Sequence, residues 1–423
     1  MKLLFIHQNF PGQYRHVAAR FAADPAHRVV AIGDHANVIR RDRLHGVHLV
    51  AYPTPPGATQ HVHPYLRGQE AAVRRGQAVA RALQGLRKQG FVPDLICAHP
   101  GWGEALFLKD AMPESALLAY FEFYYRARGA DVGFDPEYPS SLDDACRVRV
   151  KNATLLVSLD AADAGVAPTA WQQAQSPPGF RHKISVAHDG IDTGIVCPDG
   201  DDTFTLPNGA VLGARDEVVT YVARNLEPYR GFHIFMRALP RILARRPQAQ
   251  VLIVGGDEVS YGVPARGGGT YRAALLAELG ESLDTSRVHF MGRLPYRRYL
   301  SVLRVASVHV YLTYPFVLSW SMLEAMAAGC LVIGSRTRPV EEVIEDGVNG
   351  WLTDFFDVAA LSERVCDALD AGEALAQVRA AARQTVVDRY DLARVCLPRQ
   401  IGLIESLARQ GGALAVPADE LSR

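Results

Sequence analysis

Short apolar runs alternate with longer amphipathic stretches through the first half of the chain. The apolar runs predict strands at residues 2–7, 28–33, 47–52, 94–98, 116–121, 155–158 and 184–187. The spacing between them predicts helices at residues 12–23, 66–89, 103–110 and 142–152. This alternation is typical of βαβ units and of a mostly parallel sheet.

The pattern lapses over residues 192–217 and then begins again. The second half predicts strands at residues 218–223, 250–255, 288–292, 308–312, 331–334 and 350–353. We therefore predict an α/β protein with two doubly wound domains. The expected divisions are an N-terminal domain 1–195, a linker 196–216, a C-terminal domain 217–395 and a helical tail 396–423 that packs back on the N-terminal domain.

Composition narrows the classes of function. The chain has 45 basic and 45 acidic residues among 423, so no bulk charge favours nucleic acid as a partner. The six cysteines lie far apart without zinc-ligand spacing, which indicates reduced thiols and no metal site. No apolar run approaches the roughly 20 residues that span a bilayer, and we expect a cytoplasmic protein.

Several nucleotide and hydrolase motifs are missing from the sequence. It contains neither a P-loop nor a nucleophile elbow. The segment Gly101-Trp102-Gly103 follows the fourth predicted strand rather than the first, which makes it a poor dinucleotide loop. A dehydrogenase is therefore the least favoured enzyme class.

Two arginines follow the first strand of the second half. Arg224 and Arg230 stand six residues apart at a strand-to-helix connection, and Gly231 comes next. There they can converge on one anion beside the helix N-terminus, and a nucleoside diphosphate is such an anion. A surface arginine pair is the alternative.

A second segment, residues 317–329, predicts a loop that enters a short helix ending at Gly329. Backbone N–H groups at Ser319–Ser321 can bind phosphate there, and Glu324 can accept hydrogen bonds from both ribose hydroxyls. The equal alternative is a capping box, in which Glu324 reaches back to Ser321. Further along, Gly292 and Arg293 follow one another at the end of a predicted strand. The backbone there can contact the edge of a nucleobase, or it can form a plain turn.

In this order, these segments resemble the C-terminal domain of the retaining glycosyltransferases of family 4, the group 1 transferases. Residues 7–13 and 184–192 extend the resemblance over nearly the whole chain. The family has the GT-B fold, in which two Rossmann-like doubly wound parallel-sheet domains face a central cleft. The resemblance implies transfer of a sugar from a nucleotide-diphosphate sugar to a saccharide, lipid-linked or small-molecule acceptor. It implies no cofactor or metal, and surface polysaccharide or glycoconjugate assembly as a common setting.

The resemblance also implies roles for individual residues. Arg224 and Arg230 would neutralise the donor diphosphate, Glu324 would bind the ribose, and Gly12 would let the backbone approach the phosphates or the acceptor. His99 would lie near the donor sugar, with His7 and His16 as weaker candidates. The full set of donor-binding candidates is Gly12, Arg224, Arg230, Gly292, Arg293, Leu318, Ser319, Trp320, Ser321 and Glu324.

The chain departs from the family pattern at Phe316. Eight positions before Glu324 the family has a second Glu, which ordinarily helps to hold the donor sugar. The change indicates either altered donor recognition or lost catalysis. The alternatives are therefore a nucleotide-sugar epimerase or hydrolase on the same fold, and a non-catalytic nucleotide-sugar-binding protein.

One predicted helix is rich in basic residues. It carries Arg67, Arg74, Arg75, Arg81, Arg87 and Lys88 with few acids. Such a helix can dock on an anionic membrane, which would make the protein peripheral at the inner face of the membrane. A solvated helix face is the favoured alternative.

Overall fold

The computed structural model describes residues 1–411, and the chain divides into two compact units. Unit 1 comprises Met1–Asp189 together with the segment that begins at Ala393, and unit 2 comprises Gly190–Leu392. The part of the predicted tail beyond residue 411 lies outside the described residues.

The sheet of unit 1 has seven parallel strands in the order β3-β2-β1-β4-β5-β6-β7. They are β1 (Lys2–Ile6), β2 (Arg28–Asp34), β3 (Val47–Tyr52), β4 (Leu95–Ala98), β5 (Ala116–Tyr120), β6 (Ala164–Ala167) and β7 (Ile184–Val186). The helices between them are α1 (Arg15–Ala22), α2 (His35–Val38), α3 (Arg67–Lys88), α4 (Leu108–Ala111), α5 (Leu142–Ala161) and α6 (Ala170–Gln175).

Both faces of this sheet are buried, which explains its nearly continuous apolar strands. Successive side chains of a strand point to opposite faces. In β1, Leu4 and Ile6 therefore pack in the core that includes Leu83 of α3. Leu3 and Phe5 pack in the core on the other side, with α1 and the C-terminal helix.

Two elements predicted for unit 1 are wrong. Residues 155–158 lie inside α5, whose N-terminus is fixed by a capping box between Ser141 and Asp144. This helix buries Leu155 and Leu159, four positions apart, and leaves Val157 exposed, so the apolar run has helical rather than strand periodicity. The helix predicted over residues 103–110 is reduced to the single turn of α4.

Unit 2 contains a small hairpin and a six-stranded parallel sheet in the order β12-β11-β10-β13-β14-β15. The hairpin strands are β8 (Phe204–Thr205) and β9 (Val211–Leu212). The sheet strands are β10 (Val218–Asn225), β11 (Gln250–Gly256), β12 (Val288–Gly292), β13 (Val308–Tyr311), β14 (Leu331–Ser335) and β15 (Trp351–Thr353). The hairpin lies within residues 196–216, the predicted linker, and its Phe204, Leu206 and Leu212 are buried in a core of unit 2.

The helices of unit 2 cover both faces of its sheet. They are α7 (Phe232–Arg245), α8 (Tyr271–Leu279), α9 (Tyr296–Arg304), α10 (Trp320–Ala327), α11 (Arg338–Glu341), α12 (Val358–Ala371) and α13 (Ala376–Tyr390). A π-helical turn, Leu392–Cys396, leads into α14 (Leu397–Gly411). The side chains of Ile404 and Ala408 in α14 are buried in the core of unit 1.

Strand order in each sheet reverses once, next to the strand that comes first in the chain. In unit 1 this point lies between β1 and β4, and in unit 2 it lies between β10 and β13. Ligands of doubly wound sheets bind at such a point, outside the carboxyl ends of the strands. Within residues 1–411, the structure has no helix that is both long and apolar enough to cross a membrane.

Candidate active site

Arg230 lies at the carboxyl end of β10, in the 3₁₀ turn Pro228–Arg230 that precedes α7. The next residue, Gly231, has φ +67°, and a Cβ there would lie 2.4 Å from Leu312 Cβ. Only glycine accepts this backbone conformation without strain and leaves room for Leu312. The sequence Arg-Gly thus places the guanidinium between β10 and the segment after β13.

The Arg230 guanidinium is fixed by three hydrogen bonds. Its Nη1 donates to the Tyr311 hydroxyl at 3.0 Å, the Thr313 hydroxyl at 2.8 Å and the Val317 carbonyl at 2.9 Å. Thr313 is held in turn by Ser335, whose Oγ accepts from the Thr313 N–H at 3.0 Å. Residues at the ends of the adjacent strands β13 and β14 therefore set the position of a cation that the turn after β10 carries.

This cation is buried without an acidic partner. Arg230 is 6% exposed. It forms no ion pair with another residue in the range 1–411. Because a buried charge is costly unless it is paired, such a guanidinium is suited to an anionic ligand.

Tyr311 connects Arg230 to the start of α10. Its hydroxyl also accepts the Ser319 N–H at 2.8 Å, and burial raises the pKa of this phenol. Ser319 is the N-cap of α10, and its side chain accepts from the Ser321 N–H. The predicted capping box between Ser321 and Glu324 is therefore wrong, because the helix begins two residues earlier than that motif requires.

The carboxylate of Glu324 faces α9 instead. Its Oε1 accepts from the Tyr296 hydroxyl at 2.8 Å and its Oε2 from the Tyr299 hydroxyl at 2.7 Å. Burial raises the pKa of Glu324. Each carboxylate oxygen has further acceptor capacity, so the two phenols orient the group and leave it able to bind a diol.

The other predicted donor-binding residues of unit 2 lie near the ends of β10 and β12 and at the start of α10. Arg224 is exposed near the end of β10, and its side chain makes no hydrogen bond or ion pair within the described chain. Arg293 follows Gly292 at the end of β12 and donates to Asn225 at 3.0 Å and to Glu258 at 2.5 Å. In the α10 segment Leu318 is buried, whereas Trp320 is exposed.

Phe316 packs into an aromatic cluster beside Arg230. Its ring centroid lies 5.5 Å from that of Tyr229 and 5.0 Å from that of Tyr261. The Arg230 Cζ lies 5.9 Å from the Phe316 ring. The position that holds an acidic side chain in the family pattern is thus apolar and buried here.

Unit 1 gathers polar side chains at the ends of β1, β4 and β5. His99 is buried, its Nδ1 accepts the Gly101 N–H at 3.1 Å, and its Nε2 lies 3.5 Å from Glu122 Oε2 without hydrogen-bond geometry. Trp102 stacks on His99 with ring centroids 4.5 Å apart. His7 is also buried, and burial together with the neighbouring His99 lowers its pKa well below the usual value.

Gly12 and Gln13 complete this cluster, whereas His16 does not. Gly12 has φ +48°, and a Cβ there would lie 2.7 Å from His7 Cε1. The amide of Gln13 donates to Glu122 Oε1 at 3.2 Å. His16 is exposed on α1.

Two arginines of the basic helix α3 have acidic partners. Arg74 pairs with Glu70 at 2.7 Å and Arg87 pairs with Glu114 at 2.5 Å. These pairs reduce the positive charge that the sequence alone predicts for this surface.

Sequence reasoning missed four contributors to the two sites. Tyr311 ends a strand and Thr313 follows it closely, and polar residues at the carboxyl end of a predicted strand could have indicated a binding site. Glu122 follows β5 in the same way. Glu227 is fully buried and lies between Arg224 and Arg230 in the sequence. It gave no signal, because its hydrogen-bond partners lie in a distant loop.

Among residues 1–411, no group of three or more His, Cys, Asp or Glu side chains is placed to hold a metal ion.

Comparison with known proteins identifies the family. Residues 25–196 match the model "Glycosyl transferase family 4 group", and residues 208–385 match "Glycosyl transferases group 1". The D-inositol 3-phosphate glycosyltransferase of Corynebacterium efficiens is 30% identical over 195 residues, which are 45% of this chain and 44% of that enzyme. The phosphatidyl-myo-inositol mannosyltransferase of Mycobacterium tuberculosis is 27% identical over 230 residues, 52% of this chain and 56% of that enzyme. The chain therefore spans about half the length of the curated relatives it matches.

Solved structures are similar over nearly the whole chain. The Anabaena protein HepE in complex with UDP aligns with a TM-score of 0.65 at 19% identity, covering 96% of this chain and all of that one. Sucrose-phosphate synthase from Thermosynechococcus elongatus aligns with a TM-score of 0.72 at 18% identity, covering 98% of this chain and all of that one. These similarities confirm the predicted GT-B fold class with two Rossmann-like units. The chain belongs to the group 1 glycosyltransferases of family 4.

Proposed function

We propose that this protein is a retaining glycosyltransferase that moves a sugar from a nucleotide-diphosphate sugar to an acceptor hydroxyl. The observation that carries the proposal is Arg230, a buried guanidinium with no acidic partner among the described residues. A diphosphate supplies the missing negative charge. When the sugar leaves, that diphosphate gains charge, and a fixed cation stabilises the transition state in which it does so.

The neighbouring groups suit the rest of a nucleotide. Arg224 adds a second cation from the exposed end of β10. Glu324, oriented by two tyrosines, is the acceptor for ribose hydroxyls. A phosphate at the start of α10 would replace the Tyr311 and Ser319 oxygens as acceptor of the Ser319 and Ser321 N–H groups. Because the related HepE structures contain UDP and UDP-glucose, UDP-sugars are the first donors to test.

The proposed chemistry requires neither a carboxylate nucleophile nor a metal ion. The bond between the anomeric carbon and the leaving phosphate oxygen breaks, and the acceptor oxygen bonds to the same face of that carbon. The departing phosphate oxygen takes the acceptor proton, so charge and atoms balance. The protein contributes positioning and electrostatic stabilisation by Arg230 and Arg224.

For the acceptor we propose a polyhydroxylated saccharide, lipid-linked or small-molecule alcohol. The cluster of His99, Glu122 and Gln13 in unit 1 offers hydrogen-bonding groups at the carboxyl ends of its strands. The curated relatives are named for an inositol phosphate and a phosphatidylinositol acceptor, which supports a polyol. Glycoconjugate or surface-polysaccharide assembly is the proposed setting.

Turnover of nucleotide sugars by matched variants tests the proposal. Arg230→Met removes the charge and keeps the apolar stem, so we expect kcat to fall by about 10²-fold or more. Arg230→Lys restores the charge and should recover part of the loss. Arg241→Ala is the control, since Arg241 forms an exposed ion pair with Glu363 on the same unit. Retention is checked by assigning the anomeric configuration of the product, and independence of metals by assay in EDTA.

Near-normal turnover by Arg230→Met would contradict the assignment of Arg230. Product with inverted configuration would contradict the retaining mechanism. Release of free sugar without an acceptor, or interconversion of the donor, would favour a hydrolase or epimerase.

The second candidate is a nucleotide-sugar-binding protein without catalysis. The buried ring of Phe316 favours it, because this apolar side chain provides no acceptor for a sugar hydroxyl. Saturable donor binding with no turnover over a broad panel of acceptors would support this candidate.

A further inference from the structure

The loop between β11 and α8 is tied to the turn that carries Arg230. The Glu227 side chain is fully buried. Its carboxylate accepts the N–H groups of Ser260 at 3.2 Å, Tyr261 at 3.1 Å and Gly262 at 2.9 Å. Hydrogen bonds of N–H groups to a carboxylate are stronger than neutral ones, so this loop backbone is firmly held.

A second attachment holds the same loop from the other side. The Asn225 amide donates to Ser260 Oγ at 2.7 Å. Arg293 bridges the Asn225 amide oxygen and the Glu258 carboxylate. The loop segment 258–262 is therefore attached at Glu227 and at Asn225, on either side of Leu226.

This attachment places the Tyr261 ring on the anion site. The Arg230 Cζ lies 5.4 Å from the Tyr261 ring centroid. One side of the ring packs on Phe316, whereas 37% of the residue is exposed. The ring thus lies between solvent and the Arg230 guanidinium, which is already held by its hydrogen bonds to Tyr311, Thr313 and Val317.

We infer that Glu227 is a positioning residue that holds Tyr261 over Arg230, and that the ring keeps water and salt ions away from the diphosphate site. The inference rests on the proposed function of Arg230. Dissolved salt weakens the attraction between exposed charges much more than the attraction between buried ones. A covered Arg230 therefore binds a diphosphate with an affinity that depends little on ionic strength, and removal of the cover makes that affinity salt-dependent.

The experiment is calorimetric titration of the full chain. UDP, GDP, ADP and dTDP are first compared on the wild-type protein, and the nucleotide that binds most tightly is then titrated into each variant at 50 and 500 mM NaCl. For the wild-type protein we expect Kd to rise less than about threefold between the two salt concentrations. For Tyr261→Ala and Glu227→Gln we expect a rise of about tenfold or more, as for an exposed pair. Tyr261→Phe keeps the ring and loses only the hydroxyl that interacts with Arg230, so its Kd should show the salt dependence of the wild type.

The variants separate positioning from a general structural effect. Tyr261→Ala leaves the backbone bonds to Glu227 intact, so it removes the cover without releasing the loop. Hydrogen exchange should be faster at residues 260–262 in Glu227→Gln and unchanged in Glu278→Gln, a control at the surface pair between Arg237 and Glu278. Wild-type salt dependence in both Tyr261→Ala and Glu227→Gln would overturn this inference alone. Failure of the wild-type protein to bind any of the four nucleotides would overturn the proposed function and this inference together.

Discussion

The hydroxyl of Tyr311 accepts a hydrogen bond from Nη1 of Arg230 at 3.0 Å, which joins the turn after β10 to the end of β13. These two strands flank the point where the strand order of unit 2 reverses. One phenol thus sets the position of the cation that the proposed mechanism requires, and it also accepts the N–H of Ser319 at the start of α10.

Removal of this hydroxyl should destabilise the protein. Tyr311→Phe leaves the Ser319 N–H without its acceptor and weakens the support of Arg230, so we expect a loss of about 1–3 kcal/mol in the free energy of unfolding. Tyr65→Phe, which removes a hydroxyl bonded to Asp143 in exposed surroundings, is the matched control. Urea unfolding of both variants measures the difference, and a Tyr311→Phe loss below about 0.5 kcal/mol, the range of ordinary surface substitutions, would contradict this role.

Gly231 should tolerate no side chain. Gly231→Ala combines a left-handed φ, which costs about 1–2 kcal/mol, with overlap against Leu312, which costs about 1–3 kcal/mol more. Gly209 has φ +88°, and a Cβ there would have no heavy atom within 4 Å. Gly209→Ala should therefore lose only the stability that the left-handed φ costs. Equal losses of stability in the two variants would mean that overlap with Leu312 adds nothing to the destabilisation.

Glu324 should distinguish nucleotides from inorganic diphosphate. If its carboxylate binds ribose, Glu324→Gln should weaken nucleoside diphosphate binding about tenfold, the effect of losing a hydrogen bond to a charged group. Pyrophosphate, which has no ribose, should bind the variant and the wild type equally well. A parallel loss for both ligands would show that Glu324 acts on the phosphate site, and no loss for either would remove Glu324 from the site.

Two buried histidines should make the protein less stable in acid. Burial lowers the pKa of His309 from 6.5 to about 3 and that of His188 to about 4. Below pH 6.5 the unfolded chain takes up protons that the folded one does not, so stability falls as pH decreases from 6.5 towards these values. At pH 5 each histidine contributes a loss of about 2 kcal/mol.

His309→Asn tests this dependence. The amide does not titrate and can keep a hydrogen bond to Thr220, the present partner of His309 Nδ1. The variant should lose about 2 kcal/mol less than the wild type between pH 7 and pH 5 in urea unfolding. An unchanged loss would exclude His309 as a source of the acid sensitivity, and the exposed His45→Asn is the control.

Much of the fold follows from hydrophobic periodicity because both sheets are buried on two faces. The six strands of the unit 2 parallel sheet begin where the pattern predicts them, to within one residue at Trp351, whereas the two hairpin strands were not predicted. The errors lie where periodicity is weak. Strand β6 is only four residues long and contains one β-branched residue, Val166, whereas residues 155–158 form an apolar run too short to separate helix from strand.

Less of the site could be predicted, because its partners are distant in sequence. Arg230 has a local signal in its position after a strand and before a glycine. Its partners Tyr311 and Thr313 lie more than eighty residues away. Glu227 binds a loop that has no periodic pattern, so only the folded chain reveals why a carboxylate is buried there.

The proposed role of Arg230 is to hold the diphosphate of a nucleotide donor. A thermal-shift panel with UDP, GDP, ADP, CMP and dTDP on the wild type, Arg230→Met and Arg230→Lys tests this role. A nucleotide at about 100 times its Kd adds about 2.7 kcal/mol of stability, which raises Tm by several degrees. We predict that at least one nucleoside diphosphate stabilises the wild type, that Arg230→Met loses the effect and that Arg230→Lys keeps part of it. Stabilisation of Arg230→Met equal to that of the wild type, with both proteins folded, would contradict this role of Arg230.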